Sequence, residues 1–175
     1  MVIDHLLSHY GEQRVAYIYC DYRDKTKQNL LNIMGSILKQ HLSVTADIPD
    51  AVVSFLESLQ KCDKKIKIED VSQLLRFSLP QLNDGSQFLC IDALDELEQG
   101  TRLQLLKAFK TEFGRTRIFL TGQPHISSDV GRILQIHPDA IQISPNPIEV
   151  REYMSHEIGL DWEMNPEYAA QRRDS

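Results

Sequence analysis

The 175-residue sequence contains no G-x-x-x-x-G-K-[ST], and its eight glycines, Gly11, Gly35, Gly85, Gly100, Gly114, Gly122, Gly131 and Gly159, all stand alone. The usual phosphate-cradling loop is therefore excluded. Cysteine is scarce as well. Cys20, Cys62 and Cys90 form no C-x-x-C and no even set, so neither a zinc module nor a disulfide framework is expected. Cys20 and Cys90 fall inside apolar, strand-like runs and read as buried thiols of a reducing, cytoplasmic compartment. No apolar run approaches the roughly 18 residues of a membrane span. The first residues lack the basic and long apolar stretches of a signal peptide. Basic charge is in deficit: 19 Lys and Arg face 25 Asp and Glu, a net charge of −6, which argues against a general nucleic-acid binder. There is no internal repeat and no low-complexity tract.

What remains is an ordinary globular composition, 42% apolar and 25% charged, in a length that suits one domain with a real core. Val2 to Tyr10 has near-helical apolar spacing and is followed by Gly11, a residue suited to a helix C-terminus. Val15 to Cys20 is β-branched and aromatic and predicts a buried strand. A helix capped by Thr26 is expected to run to about His41, with Leu30, Leu31, Ile33, Met34, Ile37 and Leu38 inward. Further helices are expected over 48–59, 69–79, 101–113, 126–133 and from Pro147 to about Ile158. Lys61 to Lys67 reads as a solvated charged loop. Strands are expected over 87–92 and 117–121, with a short fourth one over 140–143. Strands alternating with helices predict an α/β fold with a mostly parallel sheet.

The chemistry concentrates in Phe88-Leu89-Cys90-Ile91-Asp92 and the Ala93-Leu94-Asp95-Glu96 that follows. An apolar strand that ends in an acid delivers a carboxylate to the edge where open α/β sheets bind ligands. Mg²⁺ takes oxygen ligands and keeps several waters, so Asp92 would hold it through water. Asp95 and Glu96 follow within about one turn and are candidates to orient an attacking water. Other candidates carry less. His5 and His9 are spaced i, i+4, but no third ligand lies nearby in sequence, and a zinc site demands one. His137-Pro138-Asp139 matches the tripeptide of J-domain co-chaperones but precedes an expected strand rather than lying between helices, so it is read as chance.

Phe88 to Arg102, FLCIDALDELEQGTR, resembles the extended Walker B segment of NACHT-type NTPases of the STAND class. RIFLTGQPH resembles the sensor strand of that family, and IQISPNPIEVREYMSHEI its next strand and helix, with Glu149 where Asp is common and Tyr153 in place. VIDHLLSHYG and YIYCDYRDKTKQNLLNIMGSILKQHL are similar to the helix after the P-loop and to the strand and helix that follow it. The nearest set is the fungal proteins whose domain is described as nephrocystin-like N-terminal. The resemblance covers residues 2 to 160, which implies a partial NTPase domain over 1–160 and a polar tail over 161–175.

The resemblance implies a P-loop NTPase-like (ASCE) parallel sheet flanked by helices. The family's strand order is 5-1-4-3-2, and its central P-loop strand would be missing, as if the chain began after the Walker A loop. Unpaired buried backbone groups would then cost about 1–3 kcal/mol each. The resemblance also implies Mg²⁺ with ATP or GTP in the complete family. It assigns Asp92 to the metal, Asp95 and Glu96 to vestigial catalytic positions, and Thr121, Gln123 and His125 to the sensor region. Gln123 stands where an Arg is usual, and a neutral amide supplies no cation to a phosphate. The expectation is a piece of a nucleotide-dependent signalling switch that neither binds nucleotide tightly nor hydrolyses it alone. The alternative is a non-enzymatic interaction module with protein partners, either a second copy or a related full-length NTPase.

Overall fold

The computed structural model describes residues 2–24, 26–62, 64–79, 87–136, 139–143 and 146–164. The tripeptide's His137 and Pro138 lie outside them. The chain divides into two bodies, residues 1–138 and 139–175.

The first body is built on three parallel strands in the order β1-β2-β3: β1 (Val15–Tyr19), β2 (Phe88–Asp92) and β3 (Arg117–Leu120). Tyr17 aligns with Cys90 and Cys90 with Phe119, while Tyr19 aligns with Asp92. Side chains alternate between the two faces of a sheet, so this register sorts the strands' apolar residues into two sets. Val15, Tyr17, Phe88 and Cys90 pack with Ile3, Leu6 and Leu7 of helix α1 (Val2–Tyr10). Ala16, Ile18, Leu89, Ile91, Ile118 and Leu120 join the larger core on the opposite face. Both faces are covered over β1 and β2, which is why these strands read as near-continuous apolar runs. Gly11 ends α1 with its N–H donating to the Leu7 carbonyl at 2.9 Å, and its φ of 82° is a conformation a side chain would oppose.

The larger core is closed by α2 (Leu30–Ser43), α3 (Asp50–Lys61), α4 (Ile68–Ser78), α5 (Gln99–Glu112) and α6 (Ser127–Leu134). Met34, Ile37, Leu74, Leu75, Leu89, Ile91, Leu105, Leu106 and Phe109 are each exposed by 2% or less. Burying a side chain of this kind contributes about 1.5–3 kcal/mol. The helix expected to start at Thr26 instead starts after Asn29. That residue sits in extended backbone, φ −90° and ψ 164°, and its side chain accepts the Asn32 N–H at 3.0 Å. Residues 64–67 of the charged stretch are irregular and mostly exposed, while Lys61 still belongs to α3.

In the second body, residues 139–143 are not the expected fourth strand. Ile141 and Ile143 are 89% and 88% exposed, and the segment belongs to no ladder among the described residues. A strand of four residues has little stability without a hydrogen-bonded neighbour, and alternation in sequence supplies none. Asn146 then caps helix α7 (Pro147–Met164), accepting the Ile148 N–H on its side chain and the Val150 N–H on its carbonyl, both at 3.0 Å. The helix continues past the expected stop near Ile158, so residues 161–164 of the expected tail are helical. Residues 165–175 lie outside the described residues.

Candidate functional site at the carboxyl edge of the sheet

Asp92 is the last residue of β2, half-buried at the carboxyl edge of the sheet. The residue after it, Ala93, has φ 55° and ψ 48°, a left-handed conformation that turns the chain sharply away from the strand direction. That turn brings two amides back to the end of β3. The Ala93 N–H donates to Thr121 Oγ1 at 2.8 Å and the Leu94 N–H to the Thr121 carbonyl at 2.9 Å. Thr121 in turn donates its own N–H to the Ile91 carbonyl at 3.0 Å and its hydroxyl to Asp92 Oδ1 at 2.5 Å. All four hydrogen-bonding groups of Thr121 are therefore spent on residues 91–94. Asp92 Oδ2 takes no hydrogen bond among the described residues.

Asp95 and Glu96 lie in a single 3-10 turn, Leu94–Glu96. Asp95 faces the chain just beyond Thr121, where a Cβ added to Gly122 would lie 3.0 Å from Asp95 Oδ1 and 2.6 Å from Ile126 Cδ1. Glu96 reaches the other way and accepts the Tyr22 N–H on Oε2 at 2.9 Å, fastening the loop after β1. The charges of all three carboxylates reach Cys20. Its thiol is pushed up to about 12, first by desolvation and then by the charges of Asp92, Glu96 and Asp95. Among the described residues no three His, Cys, Asp or Glu side chains converge as a metal cage.

The structure thus joins Asp92 to Thr121 and holds Asp95 and Glu96 beside them. Gln123 and His125 are exposed on the 3-10 turn Pro124–Ile126 and its approach, and neither side chain hydrogen-bonds with Asp92, Asp95 or Glu96 among the described residues. His5 and His9 stack on exposed positions of α1, ring centroids 6.0 Å apart.

Arg102 belongs to the site's surroundings and was not singled out from sequence. It is 7% exposed, donates from Nη1 to the Leu97 carbonyl at 3.1 Å and approaches Asp129 of α6 at 3.8 Å, leaving Nε without a partner. It ties the acidic loop to the helix after β3. The signal was its place in the row Arg102, Leu105, Leu106, Phe109, which is the buried face of α5.

No curated protein matches the chain. No solved structure matches it either. The sequence model of one family, described as nephrocystin 3, N-terminal, matches residues 1–123, well over half of the chain. The chain belongs to the nephrocystin 3, N-terminal family.

Proposed function

We propose that residues 88–126 form the metal-facing half of a NACHT-type, P-loop-NTPase-like nucleotide switch. The observation that carries this reading is the Thr121 hydroxyl donated to Asp92, with Thr121 itself fixed by the Ala93 and Leu94 amides. It makes the end of β3 a strut for the carboxylate on β2. A displacement of either strand end is then felt at the other, as a switch needs.

The donor set suits part of the implied cofactor. One carboxylate oxygen is held by Thr121 and the other is left for water on a hard cation, which is how Mg²⁺ is commonly bound beside a nucleotide. When bound, Mg²⁺ supplies charge neutralisation for phosphate oxygens. The set does not suit a triphosphate. The sequence has no Gly-rich loop of amide donors and no Lys that follows one, and Gln123 offers no cation. Asp95 and Glu96 are read as vestigial, Glu96 being engaged by the Tyr22 amide. The chain by itself is therefore proposed to hold neither ATP nor GTP tightly and to hydrolyse neither.

Two measurements test the two parts. Mn²⁺ titration followed by NMR line broadening should mark Ala93, Leu94 and Thr121, and Asp92→Asn should abolish the effect; broadening centred elsewhere would remove the metal role. Calorimetry with ATP and GTP, with and without Mg²⁺, should show no binding in the micromolar range. A micromolar Kd would overturn the inactive reading.

A second reading, a protein-interaction module, is favoured by the open outer edge of β3 among the described residues. The net charge of −6 suits a protein partner better than nucleic acid. No helix among the described residues is long and apolar enough to cross a membrane. The free thiols of Cys20, Cys62 and Cys90 support a reducing, cytoplasmic setting.

A further inference from the structure

We propose that Arg102 is the positioning residue of the acidic loop, residues 93–97, and that through it the placement of α6 is coupled to the loop after β1. The acidic loop is gripped at both ends. At its start the Ala93 and Leu94 amides donate to Thr121. At its end the Leu97 carbonyl accepts from Arg102 Nη1 at 3.1 Å. Leu97 closes the 3-10 turn that carries Asp95 and Glu96, its N–H donating to the Leu94 carbonyl at 3.3 Å. A hold on Leu97 is therefore a hold on both acids. On its other side the same guanidinium faces α6. Arg102 Nη2 lies 3.8 Å from Asp129 Oδ2, while Asp129 Oδ1 accepts from Arg132 at 2.9 Å. Glu96 carries the connection onward, since its Oε2 accepts the Tyr22 N–H at 2.9 Å. Asp129, Arg102, Leu97, Glu96 and Tyr22 thus form one line of polar contacts from α6 across the acidic loop to the turn after β1.

Stability alone does not account for a guanidinium at this place. Arg102 shares the buried row of α5 with Leu105, Leu106 and Phe109, is only 7% exposed, and leaves its Nε without a partner among the described residues. A buried charge is costly to desolvate, and an apolar side chain of similar volume is often neutral or stabilising in its stead. What an apolar side chain cannot do is bridge a carbonyl on one element and a carboxylate on another. The planar guanidinium does so with donors in fixed, divergent directions, where a Lys ammonium is a single point. Close packing denies the buried side chain room to swivel, so a shift of Asp129 with α6 is passed to Leu97 rather than absorbed. The far end of the line is firm as well. Next to Tyr22, Arg23 is fixed on Asp21 by bonds of 2.6 to 3.0 Å, and Gln28 accepts the Asp21 N–H at 2.9 Å. The relay needs neither a metal nor a nucleotide, so it stands apart from the reading of Asp92.

The test uses NMR on the full 175-residue chain. The Tyr22 amide proton is a donor to a carboxylate, and the displacement that Glu96→Gln gives it calibrates the reading. Arg102→Met should move the Tyr22 resonance in the same direction and raise exchange of that amide with water by roughly threefold or more, with the β2 amides at their parent positions. Asp129→Asn, at a side chain 20% exposed, should do the same in smaller measure. The double variant should go no further than Arg102→Met alone, as residues acting in one line do. Arg132→Ala removes the other partner of Asp129 and should leave Tyr22 unmoved. Should Arg102→Met unfold the chain, Asp129→Asn decides alone. A Tyr22 amide that keeps its parent position and rate in these variants, or additive displacements in the double variant, overturns the proposal. So does an equal response to Arg132→Ala, since that traces the effect to surface charge rather than to Arg102.

Discussion

The side-chain amide of Gln40 pairs with Tyr17 as a neighbouring strand would, accepting from its N–H at 3.0 Å and donating to its carbonyl at 2.8 Å. An edge strand with unpaired backbone groups invites further strands, and here a residue of α2 occupies them. Gln40→Leu keeps the size of the side chain and removes both bonds. The expected loss is about 1–2 kcal/mol for the orphaned groups, read as a lower urea midpoint, with faster aggregation on gentle heating. An unchanged midpoint would mean that water replaces the amide at no cost.

Thr121→Val tests the strut behind Asp92. The substitution is nearly isosteric but removes a donor to a carboxylate and the acceptor of the Ala93 N–H. A hydrogen bond to a charged group is worth about 1.5–3 kcal/mol, so Tm should drop by roughly 5–10 °C for a chain of this size. Thr121→Ser keeps the hydroxyl and should stay close to the parent. If Val and Ser behave alike, the hydroxyl is not what holds the two strand ends together.

Ala93 and Gly122 form an opposed pair. Ala93 holds φ 55°, which Gly adopts more readily, so Ala93→Gly should be neutral or stabilising by up to about 1 kcal/mol. Ala93→Val should destabilise, since a β-branched residue tolerates this backbone poorly. Gly122→Ala should destabilise for a different reason: its Cβ would stand 2.6 Å from Ile126 Cδ1 and 3.0 Å from Asp95 Oδ1. Chemical denaturation of the three variants checks the signs. A stabilising Gly122→Ala would show that Ile126 and Asp95 move aside freely.

The strands at 15–19, 88–92 and 117–120 were legible because β-branched and aromatic runs mark parallel strands packed on their faces, and the acid after Ile91 marked the carboxyl edge. The start of α2 was not, because Thr26 and Asn29 are both competent caps and only the backbone geometry selects Asn29. The pattern over 140–143 is strand-like, but a ladder needs a partner, and that is a property of the fold rather than of the segment. Asp92 could be named from sequence, whereas its bond with Thr121, 29 residues on, follows only from the register that sets Leu120 beside Ile91. Arg102 sits in the buried row of α5 with Leu105, Leu106 and Phe109, a place where a charged residue breaks the apolar periodicity instead of extending it.

Cys20 supplies a prediction about pH. Its thiol is raised to about 12 by burial first and by the three neighbouring acids second. The folded chain therefore keeps this proton through a range in which the unfolded chain, with an ordinary thiol, has lost it. A group with a raised folded pKa leaves stability intact below its unfolded value and withdraws it as pH rises toward the folded one, here at up to about 1.4 kcal/mol per pH unit. Cys90, also raised by burial, adds to the same slope. Urea midpoints taken between about pH 8 and about pH 10.5 should fall more steeply for the parent than for Cys20→Ala, whatever the baseline cost of the cavity. Thiol labelling near neutral pH should modify the exposed Cys62 first and leave Cys20 and Cys90 until the chain unfolds. Parallel midpoint curves, or early labelling of Cys20, would mean that water reaches the thiol between β1 and the acidic loop, and that burial does not hold its proton.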